Sequence, residues 1–330
     1  MIHLQRRQWL RLCAAGAVSS AVGLHAQPAA GFPERAIKLV VPYGPAGGPD
    51  VLARLLGQQL TTALGQPVVV ENRPGGNGVV AAQQVARSAN DGYTLLVADT
   101  GHMAINPALY PNLPYDPERD FVPISLAAQT PFFLVANSAK VSATNLRELV
   151  ALAQAKPGTL NYGSSGNGSP HHLATEIMKA ELRIDMVHVP FKGVAASVPA
   201  LLGGEIDLMF VALPSVAAAV ESGKLRVLGV STPQRTPFMP AVPTIAEQGV
   251  PGFDMGSRMG LLAPAGTPAD RVARLEKAVV QLLRAPELSS RFAGIGMEAV
   301  ASSGAAYAQQ LRSDRVRYQQ LVQRVGLKVD

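Results

Sequence analysis

Two glycine-rich turns hold the residues best suited to chemistry. The first reads Pro42-Tyr43-Gly44-Pro45-Ala46-Gly47-Gly48-Pro49-Asp50, the second Ser164-Ser165-Gly166-Asn167-Gly168-Ser169-Pro170-His171-His172. In each, a strand-like run breaks at small residues and a helical apolar pattern follows, so each reads as strand, turn and helix start. Gly47 and Gly48 let backbone N–H groups face outward with no side chain in the way, where the helix opened by Pro49-Asp50 has its positive end and unpaired donors. Ser169 caps the second helix, with Pro170 at its first position. Such turns attract anions. No Lys follows the glycines and the spacing is neither that of a P-loop nor that of a dinucleotide fold, so a carboxylate is favoured over a nucleotide phosphate. One such turn alone is commonly an ordinary βα connection; two in one chain suggest a ligand held between two domains.

Other chemistries find less support. His172 and Glu176 stand one helical turn apart beside His171, but two ligands are too few and there is no His-Glu-x-x-His pattern, so neither metal nor cofactor is expected. The histidine pair reads instead as helix-start residues contacting ligand or backbone. Ser164, Ser165 and Ser169 lie outside any Gly-x-Ser-x-Gly elbow and suit anion binding or capping. His188, on a predicted strand, reads as a core residue. The chain is therefore read as a binding protein and not an enzyme. A periplasmic hydrolase or isomerase using the same cleft, and a sensor for a membrane signalling partner, are the competing classes.

The turns need elements to hold them. Strands at Ile37–Val41, Val68–Asn72 and Thr94–Ala98, with helices between, form a βαβαβ unit whose strand C-termini share one edge, where ligands of open α/β sheets bind. Asp99-Thr100-Gly101-His102 leaves that edge. Residues 106–123 read as ordered loop. Strand-like segments 124–128 and 132–136 flank Gln129-Thr130-Pro131, where the chain is expected to cross into a second domain. There the pattern repeats through strand 160–162, helix 169–180, strand 186–189, the turn Pro190-Phe191-Lys192-Gly193, helix 194–202 and strand 205–210. The Pro-rich stretch 232–243 is the expected return crossing, and the C-terminal helices are expected on the first domain. The division is 1–26 as signal, 27–128 with 232–330 as domain 1, and 129–231 as domain 2. Two crossings imply a hinge that closes like a jaw.

Composition sets outer limits. The 330 residues suffice for two domains of ordinary size. Arg6 and Arg7, an apolar stretch over 10–24 and Leu24-His25-Ala26 read as an export signal cleaved near Ala26, twin-arginine-like, with a periplasmic destination. Without residues 1–26 the formal charge falls from +6 to +3. With no clustered basic stripe and few aromatics, nucleic-acid binding is disfavoured. Cys13, the one cysteine, falls in the signal, leaving no disulfide or thiolate chemistry.

An ordered set of segments then carries a resemblance: Val40-Val41-Pro42-Tyr43 with Gly47 and Asp50, Glu71-Asn72-Arg73-Pro74-Gly75, Asp91-Gly92-Tyr93-Thr94-Leu95-Leu96, Leu113-Pro114-Tyr115-Asp116-Pro117, Asn161-Tyr162-Gly163-Ser164-Ser165-Gly166, Leu201-Leu202-Gly203-Gly204 and Leu261 through Pro268. Together they resemble the Bug-type extracytoplasmic solute receptors, the substrate-binding components of tripartite tricarboxylate transport systems. The resemblance implies a two-domain α/β periplasmic-binding-protein fold of the second type, each domain a mostly parallel sheet flanked by helices. It also implies a small carboxylic acid ligand in the cleft between them and membrane transporter subunits as partners; the receptor is expected to act as a monomer. By position, Tyr43, Gly47 and Asp50 match the first turn, Thr100, Gly101 and His102 the rim, and Ser164, Ser165, Gly166, Asn167 and Gly168 the second turn, with Gly48, His172 and Lys192 as further ligand-binding candidates. Pro49 replaces a common Ser or Thr, Val211 a frequent polar residue, and Arg258-Met259 the usual aromatics. At the distal end of the cleft, these would favour a second anionic or apolar group on the ligand over an ammonium.

Overall fold

A computed structural model describes residues 31–45 and 47–328; the expected export signal and Ala46 lie outside the described residues. Residues 1–34 and 35–330 form separate units, and among its described residues, 31–34, the first contains no helix or strand.

Unit 35–330 opens with β1 (Ile37–Val41), α1 (Gly48–Leu64), β2 (Val68–Asn72), α2 (Val79–Ala86) and β3 (Thr94–Asp99). β1 is buried at four of its five residues, as its unbroken apolar run requires of a strand covered on both faces. α1 stops at Gly65, which adopts the left-handed conformation (φ +70°) and returns its N–H to Thr61 O. β1 pairs in parallel with β2 on one side and β3 on the other, giving the order 2-1-3. A π-helical turn (Gly101–Ile105) runs into α3 (Asn106–Leu109), and β4 spans Phe121–Asn137.

The chain continues through α4 (Leu146–Ala155), β5 (Asn161–Ser164), α5 (Pro170–Leu182), β6 (Val187–Pro190), α6 (Val194–Gly203), β7 (Leu208–Ala212), α7 (Ala217–Glu221) and β8 (Leu225–Val230). β5 pairs in parallel with β6 and β7, so this half is wired 6-5-7, repeating the first half strand for strand. The last elements are β9 (Gly256–Pro264), α8 (Ala269–Arg284), α9 (Pro286–Ala293), β10 (Glu298–Ala299) and α10 (Gly304–Val325). The strands join in one sheet of order β2-β1-β3-β9-β4-β7-β5-β6, with β8 and β10 also on β4. The α/β architecture is thus two similarly wired lobes with flanking helices, but each sheet is mixed and not mostly parallel as expected: β3–β9, β4–β9 and β4–β10 in the first, and β4–β7 and β4–β8 in the second, pair antiparallel.

Three further expectations change. β4 does not break at Gln129-Thr130-Pro131; those residues pair with Arg258, Ser257 and Gly256 of β9, and from Phe132 the same strand pairs with β7 and β8. At the handover Phe132 N–H donates to Ser231 Oγ (2.9 Å) and Ser231 N–H to Phe132 O (2.8 Å), so a side chain completes the ladder. The stretch 106–123 is only partly loop, because α3 and the start of β4 lie within it. Finally, α10 is not confined to the first lobe. Tyr307 and Leu311 join a cluster with Val40, Leu96 and Leu262, whereas Tyr318 and Val322 join one holding Leu173, Ile177 and Phe210. That second cluster also takes in Ala104, Ile105 and Leu109, so apolar packing is continuous across the lobes on the α10 side.

Candidate functional site

In open α/β sheets ligands bind beyond the strand C-termini where neighbouring connections diverge. β1 and β5 are those strands here, each flanked by the next strand on one side and the third on the other. The two turns read from the sequence occupy these two points, at the starts of α1 and α5.

In the first lobe, Asn72 at the end of β2 donates through Nδ2 to Tyr43 O (3.0 Å) and Asp50 Oδ1 (2.8 Å), and Arg54 Nε donates to both Asp50 oxygens (3.0 and 3.1 Å). Asp50 was expected at the ligand; it is buried, and its carboxylate faces Arg54 and Asn72, where it ties turn, helix and strand together. Gly47 is the N-cap of α1 without a side-chain bond, Gly48 lies over Met259, and Pro49 brings no N–H.

Asp99, which ends β3, is the hub of the rim. Its Oδ2 accepts from Tyr43 OH (3.0 Å), and its Oδ1 accepts from Gly101 N–H (2.8 Å) and His102 N–H (3.4 Å). His102 Nδ1 stands 2.8 Å from Asp99 Oδ1 and 3.2 Å from Asp99 N. The Asp99 N–H donates to this Nδ1, so the ring nitrogen accepts from the Asp99 backbone while lying against its carboxylate. Burial alone would raise the Asp99 carboxyl, but the His102 imidazole and the Tyr43 hydroxyl outweigh it and hold it below its ordinary value. Tyr43 is pushed far up, by burial first and then by the Asp99 charge. His102 is sealed: a Cβ on Gly78 would lie 2.0 Å from its ring. Thr100, also buried, accepts from Arg258 N–H through Oγ1 (3.0 Å).

The loop after the π-helical turn locks this rim. Tyr115 OH donates to His102 O (2.6 Å), Asn106 Nδ2 donates to Asn77 O (3.0 Å), and Asn77 Nδ2 donates to Asn106 Oδ1 (2.8 Å).

In the second lobe the turn holds itself with several of its own donors. Gly166 N–H donates to Ser164 Oγ (3.1 Å), Gly168 N–H to His172 Nδ1 (3.1 Å), and Ser169 N–H to Gly166 O (3.2 Å). Ser164, fully buried, also meets His188 Nε2 at 2.7 Å. His188 was expected in the core; it is half-buried, stacked on His172 with centroids 3.7 Å apart, and on its other contact stacked with Tyr162 at 4.9 Å. Tyr162 OH in turn bonds Glu176. Burial lowers both imidazoles to about 4, helped at His172 by repulsion from His188. Ser165 Oγ meets His171 Nδ1 at 2.8 Å, and His171, also lowered to about 4 by burial, stacks on Phe132. Among the described residues no partner meets the N–H groups of Ser165 and Asn167.

The rim of the first lobe and the second turn meet along one seam. A Cβ on Gly101 would lie 3.4 Å from Pro170 Cγ, and Asn77 Nδ2 reaches Gly168 O at 3.5 Å. Contacts therefore run from Tyr43 through Asp99 and Gly101 to Pro170, His171 and Ser165. On the far side, a Cβ on Gly296 would lie 3.1 Å from Pro214 Cδ. Thr100, His102, Ser164, Gly168 and His172 lie buried behind this seam, Asn167 is exposed at the tip of its turn, and Lys192 is exposed after β6.

A cavity of about 470 Å³ lies at the two crossings, lined by residues 129–131, 232–237 and 254–258 with Glu298. Arg258 lines it, but its guanidinium is held by Asp254 (2.8 Å) and Asp314 (3.6 Å), and Val211 is fully buried in a core cluster. Neither gives the cleft the cationic or apolar end that the sequence suggested. Sequence reasoning passed over Asn77 and His188 as members of the site, and it set Asp99 at the ligand edge and His171 at the helix start without counting either among the ligand-binding candidates. The one available signal was Asp99 at a strand end immediately before Thr100-Gly101-His102.

Residues 52–327 match the family described as the tripartite tricarboxylate transporter family receptor. The chain is 33% identical to BugT of Bordetella pertussis over 90% of this chain and 91% of that one. It is similar to R. palustris Rpa4515 with adipate, at 33% identity and TM-score 0.86, covering 90% of this chain and 99% of the other. It is also similar to MatC from Rhodopseudomonas palustris with bound malate, at 32% identity and TM-score 0.81, covering 88% and 100%.

Proposed function

Because the chain belongs to the tripartite tricarboxylate transporter receptor family, we propose that it is a periplasmic receptor that captures a small carboxylic acid between its lobes and delivers it to membrane transporter subunits. The lobes are residues 27–128 with 232–330, and 129–231; a signal over 1–26, cleaved near Ala26, exports the chain. The observation that carries the reading is the seam: two helix starts, each at the divergence point of a similarly wired lobe, held within one run of contacts from Tyr43 to Ser165. Relatives with adipate and malate support a dicarboxylate as ligand.

The physics of capture needs no catalytic group. A carboxylate leaving water requires replacement donors. Hydrogen bonds to a charged group contribute about 1.5–3 kcal/mol each. Three or four of them, from the N–H groups of Ser165 and Asn167 in one lobe and of Gly47 and Gly48 in the other, less ordering costs, reach roughly micromolar affinity. Closure follows because only the closed lobes present both sets.

The test is calorimetric titration and thermal melting of the mature chain with dicarboxylic acids of three to six carbons. At a hundredfold excess over Kd a bound acid adds about 2.7 kcal/mol of stability, a shift of several degrees. No heat and no shift with any acid of the panel would overturn the receptor reading, and turnover of a bound acid, seen by mass spectrometry, would favour the hydrolase or isomerase alternative.

A further inference from the structure

The proton on the Tyr43 phenol has one destination. Asp99 is buried and ionised, and an ionised carboxylate can only accept, so across the 3.0 Å contact the phenol donates to Oδ2. Asp99 cannot turn away, since Oδ1 is held by the Gly101 and His102 N–H groups. Tyr43 cannot turn either: its ring leans on His102 with centroids 5.0 Å apart, and its carbonyl is fixed by Asn72. Tyr43 as a residue is nevertheless only half-buried and stands at the start of the first turn. What its oxygen offers an incoming molecule is lone pairs, with no proton to give.

We propose that Tyr43 is an acceptor-only specificity residue, selecting acids that carry a hydrogen-bond donor, a hydroxyl or an ammonium, beside the carboxylate. This rests on the receptor reading and refines it. A carboxylate oxygen brought against the phenol would meet lone pairs with the Asp99 charge behind them, so the carboxylate belongs to the backbone N–H donors of the two turns and its substituent to Tyr43. A plain alkane diacid leaves the phenol's lone pairs without a donor once the closed lobes exclude water.

Acids matched in carbon skeleton test this: succinate, malate and aspartate, and glutarate with 2-hydroxyglutarate, titrated into the wild-type chain and into Tyr43→Phe. The expected result is that the donor-bearing acid of each set binds the wild type about tenfold more tightly than the plain diacid, the equivalent of roughly 1.4 kcal/mol. Tyr43→Phe removes that ratio, the loss of affinity falling on the donor-bearing acid more than on the plain diacid. Malate against aspartate separates the hydroxyl from the ammonium source of the same donor chemistry. Should Tyr43→Phe fail to fold, Asp99→Asn serves: its amide can donate to the phenol, freeing the phenol proton, and the selectivity shrinks as the plain diacid gains. Equal wild-type affinity for plain and donor-bearing acids, or a Tyr43→Phe loss shared by both, overturns the proposal. Absence of binding by every acid instead defeats the receptor reading beneath it.

Discussion

Gly78 has no side chain because the His102 ring occupies the place of its Cβ. A methyl there would sit 2.0 Å from the imidazole and 2.9 Å from Pro42 Cβ, on a backbone at φ +82° that L residues rarely adopt. Gly78→Ala is therefore expected to destabilise the chain by more than about 1 kcal/mol through strain and displacement of His102. Denaturant unfolding measures the loss, and a wild-type midpoint would show the ring free to move. The three second-lobe histidines give a pH dependence of definite sign. His171, His172 and His188 are lowered to about 4, mainly by burial, against an ordinary 6.5, so the folded chain holds them neutral. Between pH 6.5 and 4 the unfolded chain binds more protons than the folded one, so their contribution is complete above 6.5 and lost as pH falls through that window. Melting temperature is expected to drop from pH 7 to 4.5, with a shallower slope in His188→Gln; equal slopes in the two proteins would remove the stacked pair as the cause.

At the scale of elements, α5 shows how a cap becomes part of a site. Ser169 Oγ accepts from His172 N–H (3.3 Å), setting the first turn of the helix, and His172 Nδ1 then fixes Gly168 N–H. Ser169→Ala is expected to cost about 1 kcal/mol, the usual value of a lost N-cap. It is also expected to loosen the turn, read as faster amide exchange at Gly168; exchange unchanged there would mean the turn is held without the cap. This cap was legible in the sequence because Ser-Pro before a helical apolar pattern is a local signal, and so were β1, α1 and β3 with their punctuating glycines. What was not legible depends on partners distant in the chain. His188 on a short strand looks like any core residue until β6 lies beside β5 and brings it to Ser164 and His172. Gln129-Thr130-Pro131 looks like a break because Pro supplies no N–H, yet β9 and Ser231 complete the pairing. Asp50 looks like a ligand group at a helix start until Asn72 and Arg54 arrive from β2 and the next turn of α1.

At the scale of the molecule, the two sides of the seam are held unequally, and this decides how the lobes part. On the side of α10, one apolar cluster takes in Ala104, Ile105 and Leu109, then Leu173 and Ile177 of α5, then Tyr318 and Val322 of α10. Asp254, on the return crossing, adds ion pairs to Arg258 (2.8 Å) and Arg317 (2.9 Å). On the other side, the contact described is that of Gly296 against Leu213 and Pro214. Opening on the α10 side would expose the cluster at about 25 cal/mol per Å² of apolar surface, whereas among the described residues no apolar cluster joins Gly296 to Leu213 and Pro214. The jaw is therefore expected to hinge along α10 and gape between the α9–β10 loop and the end of β7. Residues 27–330 hold no cysteine, so that stretch expressed alone permits the test, with spin labels at exposed Ser215 and Ala293 across the gape, and at exposed Asn112 and Glu181 on the α10 side. The Ser215–Ala293 distance is expected to shorten on addition of a bound dicarboxylate while the Asn112–Glu181 distance stays fixed. Equal changes at both pairs would mean that the shared cluster does not act as the hinge, and that closure bends the two crossings alone.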